Sequence, residues 1–329
     1  MNILVIGGTS FVGRHIVEAA LQQDHQVTLF NRGVSNPDAF PELRHITGDR
    51  RKDADKLSGL AWNAVIDTCA YTPADLTPLL EHIETELYVF ISTISVYSNY
   101  SNGAPTENSE VLNKHLENDE VTGETYGTLK VQAEKIVLDA FGSRALIMRP
   151  SIIAGPYDPT DRFTFWTSKL VESGEALIPG SKARIVQWID ARDLASFVIR
   201  QVEEKGSGIF NVAADAMGME EFVEAVGNGD ADAVWIDDAF LLKEGITPFD
   251  IPLWIPVSDK HPEGFIAVQN SKAKGAGLQC RTAHETAKDI REWLQTQANR
   301  QLKAGISREK EQEFIAAYRS YNAGGETEY

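Results

Sequence analysis

Met1-Asn2-Ile3-Leu4-Val5-Ile6-Gly7-Gly8-Thr9-Ser10-Phe11-Val12-Gly13 opens the chain and decides its fold. Residues 2 to 6 are a short run, apolar from Ile3 to Ile6. A strand without polar alternation is one covered on both faces, as in the middle of a parallel sheet. Gly7 to Gly13 predict a tight turn, and from Phe11 to Gln22 the apolar residues Phe11, Val12, Ile16, Ala19 and Ala20 recur at helical spacing. Glycines between a first strand and its helix allow a pyrophosphate to approach the backbone and meet the free N–H groups of the helix N-terminus. Gly7, Gly8 and Gly13 answer that need, and Thr9, Ser10, Phe11 and Val12 complete the loop. Ser10 stands where a glycine is often found, and the plainer reading is an ordinary turn.

Further strands follow outward from this unit. Val27 to Phe30, Arg44 to Thr47, Ala64 to Asp67, Tyr88 to Ile91 and Arg144 to Met148 are β-rich runs separated by helical stretches. Strand and helix alternating in this way predict an α/β fold, a Rossmann-type doubly wound parallel sheet, over residues 1–150. After Pro150 the texture becomes irregular, with Pro- and aromatic-containing stretches at 155–159 and 249–256. Residues 151–329 are expected to form a smaller mixed α/β substrate domain closing over the cofactor, with segments at about 185–215 returning to the sheet. Thr282 and Glu285 predict a capping box for a helix to about Gln297. Ser307 is placed to cap a last helix through Tyr318, with the tail from Asn322 frayed.

Composition excludes several function classes. The 329 residues carry a net charge of −17, which argues against nucleic acid or an anionic membrane as partner. Cys69 and Cys280 show no metal-ligand spacing, and the 7 histidines form no ligand cluster, so no metal site is expected. Both cysteines are read as reduced thiols of a cytoplasmic protein. No run has the length or apolarity of a signal peptide or a membrane span. The acidic stretch Glu107 to Glu124 reads as a solvated loop.

Tyr126-Gly127-Thr128-Leu129-Lys130 places a phenol and an amine on one helix face, one turn apart. There an ammonium favours the phenolate, and the tyrosine can exchange a proton with a substrate hydroxyl or carbonyl. At the end of the second strand stand Asn31 and Arg32, with no carboxylate to bind ribose hydroxyls. Arg50-Arg51-Lys52 follows the next strand, so the local basic character favours NADP over NAD.

Taken as a set, Gly7-Gly8 to Gly13, Ile91-Ser92-Thr93-Ile94-Ser95-Val96-Tyr97 and Tyr126-x-x-x-Lys130 resemble the extended short-chain dehydrogenase/reductase superfamily of NAD(P)-dependent epimerases, dehydratases and reductases. Gly48-Asp49, Arg149-Pro150 with Gly155-Pro156, and Asp190 to Ala195 extend the resemblance over roughly residues 1 to 215. It implies that Tyr126 is the general acid/base and that Thr93 hydrogen-bonds the substrate oxygen. Lys130 would bind the nicotinamide ribose and depress the tyrosine pKa. Asp49 and Arg50 would flank the adenine, and Cys69, Ala70 and Tyr71 would line the cofactor. Pro150, Ser151 and Ile152 would lie at the carboxamide end. A homodimer through surface helices is frequent in such relatives.

The departures narrow the expectation. Ile94 and Ser95 stand where sugar dehydratases place an acidic pair. Ile152 and Val186 replace an asparagine and an arginine that grip the diphosphate in UDP-sugar epimerases, with Arg184 and Arg162 as nearby alternatives. Ser10 resembles a divergent branch that includes chloroplast RNA-binding relatives, although the acidic charge argues against RNA. The expected activity is hydride transfer to or from a carbonyl or secondary alcohol of a small polar, sugar-like substrate. The alternatives are an NAD-dependent nucleotide-sugar epimerase and a non-catalytic cofactor-binding regulatory protein. Trp188, Trp254 and Phe249 are candidates for pocket walls, with core packing as the plainer role.

Overall fold

The computed structural model describes residues 1–298 and 300–325. From the N-terminus run β1 (Asn2–Ile6), α1 (Phe11–Gln22), β2 (Gln26–Asn31), β3 (Arg44–Thr47), β4 (Ala61–Asp67), α2 (Pro73–Leu80) and β5 (Glu84–Ile91). There follow α3 (Tyr126–Phe141), β6 (Ala145–Pro150), β7 (Ile152–Ala154), α4 (Arg162–Lys169), β8 (Gly174–Pro179), β9 (Ile185–Val186) and β10 (Trp188–Asp190). The remainder comprises α5 (Ala191–Glu203), β11 (Gly208–Val212), β12 (Met217–Gly218), α6 (Met219–Val226), β13 (Ala231–Ile236) and α7 (Asp238–Lys243). The last helices are α8 (Ser271–Gly275), α9 (Ala283–Gln295) and α10 (Arg308–Gly325).

One seven-stranded sheet has the order β11-β6-β5-β4-β1-β2-β3, and every neighbouring pair in it is parallel. The apolar run in β1 is explained by its place at the centre. Ile3 and Val5 join one core with Ile16, Val17, Leu194 and Val198, whereas Leu4 and Ile6 join the other with Leu76, Tyr88 and Val137. Each such side chain, fully buried, contributes about 1.5–3 kcal/mol. The strand order reverses between β1 and β4, and ligands bind doubly wound sheets in the crevice at such a switch point.

The chain forms two compact units. The first comprises Met1–Ile153, Trp188–Ala214 and Val268–Cys280, and holds the sheet with α1, α2, α3, α5 and α8. The second comprises Ala154–Gln187, Asp215–Ala267 and Arg281–Tyr329. It contains the parallel pair β8–β13, the antiparallel pair β9–β12, and α4, α6, α7, α9 and α10.

Within the second unit, Thr282 and Glu285 close the expected capping box, and α9 ends at Gln295 rather than near Gln297. The last helix continues past Tyr318 and through Asn322 to Gly325, so the frayed tail expected from Asn322 is corrected up to that point; residues 326–329 lie outside the described residues. Its anchor is electrostatic as well as apolar. Glu311 pairs with the buried Lys169 and accepts a hydrogen bond from the backbone N–H of Leu177 on β8 at 2.6 Å. Trp254 is fully buried in this unit, whereas Phe249 is exposed. Among the described residues no helix is long and apolar enough to cross a membrane.

Candidate active site

The loop after β1 is shaped by atoms that leave no room for side chains. Gly7 has φ +101°, and a Cβ there would lie 2.5 Å from Thr68 Oγ1; a Cβ on Gly13 would lie 2.7 Å from the backbone N of Gly8. Residues after β2 then fasten the loop. Asn31 Nδ2 donates to Gly7 O at 2.9 Å, Thr9 Oγ1 donates to Ser35 O at 2.7 Å, and Asn36 Nδ2 donates to Thr9 O at 2.8 Å. Ser10 is exposed and extended, and α1 begins at Phe11 with no acidic residue in its first turn. A helix N-terminus free of carboxylates behind a glycine cradle fits the pyrophosphate of a dinucleotide. Val12 lies half-buried in that first turn.

The basic residues divide differently from the expectation. Arg32 is exposed at the end of β2. Arg50, expected beside the adenine with Asp49, instead turns inward: its guanidinium grips the Asp67 carboxylate with both terminal nitrogens and donates through Nε to Asp75 O at 2.7 Å. Arg51 Nε donates to Asp75 Oδ1 at 2.7 Å. The reason is Asp67, fully buried at the end of β4, where an uncompensated carboxylate would be costly. Burial alone would raise its pKa, but Arg50 and a 2.8 Å hydrogen bond from Tyr88 Oη hold it below its ordinary value. Asp49 Oδ1 accepts from Arg51 N, which shapes the turn. Two of the three cations in Arg50-Arg51-Lys52 are therefore already paired.

Asp67 also organises the turn that follows, accepting from the N–H groups of Cys69 and Ala70 at 3.2 Å each. Burial, reinforced by Asp67, pushes the Cys69 thiol up to about 11 and keeps it protonated near neutrality. Tyr71 leaves this turn 47% exposed, and its ring stands 6.2 Å from that of Tyr126.

Tyr126 is the first residue of α3, and Thr93 lies two residues beyond the end of β5. Gly127 brings the two elements together, because a Cβ on it would lie 2.1 Å from Ser95 O. Gly127→Ala is accordingly expected to cost about 1–3 kcal/mol through overpacking. Urea denaturation tests this, and an unchanged midpoint would contradict the close approach. Thr93 Oγ1 accepts from Ser95 N at 3.1 Å and donates to Ser95 Oγ at 3.2 Å.

One turn along α3, Lys130 is 3% exposed and donates to Ala70 O, beyond the end of β4, and to Ile91 O, on the last residue of β5, both at 2.7 Å. Its ammonium lies 4.5 Å from the Phe90 ring centre and 5.3 Å from that of Tyr71. Both nearby carboxylates are committed elsewhere, Asp67 to Arg50 and Glu134 to Arg149. Burial lowers the Lys130 pKa to about 8 against the upward pull of Asp67 and Glu134. The result is a buried cation that, among the described residues, makes no ion pair with a carboxylate.

The sequence reading missed the polar chain behind this cation. Ser92 Oγ donates to Glu134 Oε1 at 2.5 Å, and Arg149 binds Glu134 through Nε at 2.9 Å and Nη2 at 2.6 Å. Arg149 Nη1 donates to Tyr97 Oη at 3.1 Å, and Tyr97 Oη donates to Asn211 Oδ1 at 2.6 Å. Glu107 belongs to this chain, accepting from Asn211 N at 2.9 Å, so the acidic loop is not wholly solvated. Arg149-Pro150 was the available signal, since arginine at the end of a buried strand requires a carboxylate. Pro150 lies in register with Val212, and Ser151 is buried with its hydroxyl lacking a hydrogen-bond partner. Ile152 is half-buried beside it. An unsatisfied hydroxyl, a glycine cradle and a buried ammonium at the carboxyl ends of inner strands fit a dinucleotide.

Comparison with known proteins agrees with this arrangement. Residues 3–213 match the sequence profile of the NAD dependent epimerase/dehydratase family. The chain is 28% identical over 237 residues to the Arabidopsis thaliana chloroplast stem-loop binding protein of 41 kDa b, covering 65% of this chain and 59% of that protein. It is 29% identical over 183 residues to a 3-beta-hydroxysteroid dehydrogenase of Mycolicibacterium neoaurum, covering 48% of this chain and 49% of the relative. The chain therefore spans about half to three-fifths of the length of these curated relatives. Among solved structures, UDP-N-acetylglucosamine 4-epimerase from Methanobrevibacter ruminantium superposes with a TM-score of 0.66 at 18% identity, covering 90% of this chain and 98% of that one. The dTDP-glucose 4,6-dehydratase from Bacillus anthracis, solved with NAD, gives 0.63 at 18% identity, covering 91% and 97%. At such identities the likeness is one of fold, and it is the profile match over nearly the whole sheet that assigns the chain to the NAD-dependent epimerase/dehydratase family.

Proposed function

We propose that the chain is a nicotinamide-dependent oxidoreductase acting on a carbonyl or secondary alcohol, with Tyr126 as general acid/base. The observation that carries this reading is Lys130, a buried ammonium in no ion pair with a carboxylate among the described residues, one helical turn from Tyr126. The nicotinamide, when bound, supplies or accepts the hydride. Tyr126 gives up or takes the proton of the substrate oxygen. Lys130 favours the phenolate by its charge and reaches the ribose side of the site, and Thr93 steadies the oxygen on which charge develops. Gly7, Gly8 and Gly13 with the first turn of α1 hold the pyrophosphate. Ser151 and Ile152 border the ring, and Cys69, Ala70 and Tyr71 line the path to it.

The dinucleotide by this reading is NADP, and the preference now rests on Arg32, since Arg50 and Arg51 are paired with Asp67 and Asp75. Arg32→Asp is expected to weaken NADP binding by about tenfold or more while sparing NAD, because an arginine beside a 2′-phosphate gains a charge-assisted contact. Calorimetric titration of both dinucleotides decides it, and equal NADP affinity in the variant would remove the assignment. Epimerisation would use the same residues. Purified protein that retains NAD and turns over with no net change in reduced nicotinamide would favour it. The name of the Arabidopsis relative concerns stem-loop binding, but a net charge of −17 weighs against a nucleic-acid ligand here.

A further inference from the structure

Two carboxylates hold four successive backbone N–H groups in the turn between β4 and α2. Asp67 Oδ1 accepts from Cys69 N and Ala70 N at 3.2 Å each, and Asp75 Oδ2 accepts from Tyr71 N at 2.9 Å and Thr72 N at 3.0 Å. The bond to Thr72 N belongs to the capping box of α2, but the bond to Tyr71 N does not. It fixes the peptide between Ala70 and Tyr71, whose carbonyl oxygen, Ala70 O, accepts from the Lys130 ammonium at 2.7 Å. One peptide group thus lies between a carboxylate and the buried cation.

Each carboxylate is itself locked by one of two adjacent arginines. Arg50 binds both oxygens of Asp67 and donates through Nε to Asp75 O at 2.7 Å. Arg51 donates through Nε to Asp75 Oδ1 at 2.7 Å and through Nη2 to Thr72 Oγ1 at 3.0 Å. Asp67, Thr72 and Asp75 are all buried, and every residue of this array belongs to the first unit. A connecting turn is ordinarily among the more mobile parts of a fold, whereas a reacting group needs partners that keep it within a fraction of an ångström. The density of charged contacts around this turn answers the second need.

We infer that Asp67 and Asp75, each fixed by its arginine, are positioning residues for Lys130: they set the place of Ala70 O, and so of the ammonium one turn from Tyr126. What Lys130 does there rests on the redox reading, but where it stands does not. The two carboxylates act differently. Asp75 acts through the held peptide. Asp67 adds its charge, the largest that opposes loss of the Lys130 proton, while Glu134 and Cys69 pull the same way and Arg50 the other.

The test is the titration of Lys130 in the full chain, followed by NMR through the carbon-13 signal of its ε-methylene group, assigned by its absence from Lys130→Met. A midpoint near 8 is expected for the unaltered protein. Asp75→Ala frees the peptide between Ala70 and Tyr71 and strands no buried charge, since the Arg51 side chain is 44% exposed. The midpoint should then fall by about one pH unit, the size of a lost hydrogen bond to a charged group. Asp75→Asn keeps an oxygen for Tyr71 N and Thr72 N and should restore the midpoint. Arg50→Met combined with Asp67→Asn leaves neither charge stranded and should also lower it, because Asp67 outweighs Arg50 at the ammonium. A midpoint unchanged in Asp75→Ala or in the double variant overturns the inference. An equal fall in Asp75→Asn also overturns it, because charge and not the held peptide would then be the cause. Turnover is not read in this experiment, so a chain without oxidoreductase activity would remove the redox reading and leave this inference standing.

Discussion

Tyr126→Phe is expected to lower kcat by about 10²–10⁴ with the substrate this chain reduces or oxidises, while dinucleotide affinity and the unfolding midpoint stay unchanged. The magnitude is that of losing a positioned general acid/base. The selectivity follows from the surroundings of the residue. Tyr126 begins α3 and is half-buried, with its ring centre 6.2 Å from that of Tyr71, so removing the hydroxyl opens no cavity in the core. The glycine cradle lies on other elements, and Lys130, one turn along α3, is held by Ala70 O and Ile91 O, so both keep their geometry. Dinucleotide titration and stopped-flow turnover on the same preparation separate the two effects. A variant with full activity would remove Tyr126 from the chemistry and leave a cofactor-binding protein without turnover as the better reading.

The pH dependence belongs to the same experiment. Burial depresses the Lys130 pKa to about 8, so the charge that favours the phenolate is present below that pH and lost above it. Turnover limited by proton transfer should therefore change through an apparent pKa near 8, a limb absent from Lys130→Met. The sign for stability is the reverse of a paired lysine. Between about 8 and the ordinary lysine value the folded chain binds fewer protons than the unfolded one, so this group adds stability as pH rises across that window. A Lys130→Met variant should lack that rise.

What the sequence made legible follows from short-range periodicity. Four apolar residues before a glycine turn predict a strand covered on both faces, and β1 sits at the centre of the sheet with its side chains divided between two cores. The one-turn spacing of Tyr126 and Lys130 fixed a shared helix face, and the helix exists over those residues. What was not legible depends on pairing across strands. Arg50 reads as a cation for the cofactor because Asp67 lies 17 residues away and becomes its partner only in the folded sheet. Glu134 on α3 and Arg149 on β6 become partners through packing of helix on sheet, which has no sequence period.

The largest expected effect on stability comes from that helix-to-sheet pair. Glu134→Leu should destabilise the chain by about 3–5 kcal/mol, because it leaves the Arg149 guanidinium buried without a carboxylate. Both side chains are 4% exposed, so water cannot replace the lost partner, and Ser92 Oγ loses its acceptor as well. Arg149→Met should cost a similar amount by stranding Glu134 and leaving Tyr97 Oη with one partner fewer. The double variant is expected to recover much of the loss, since an apolar pair of similar volume carries no desolvated charge. Urea denaturation of all four proteins gives the coupling directly. Strictly additive single losses would mean that the two residues act separately, and that the rigidity beneath Lys130 has another source. Recovery of stability without recovery of the pH limb near 8 would assign Glu134 a second role, holding the Lys130 proton, because its carboxylate is among the charges that oppose the fall in that pKa.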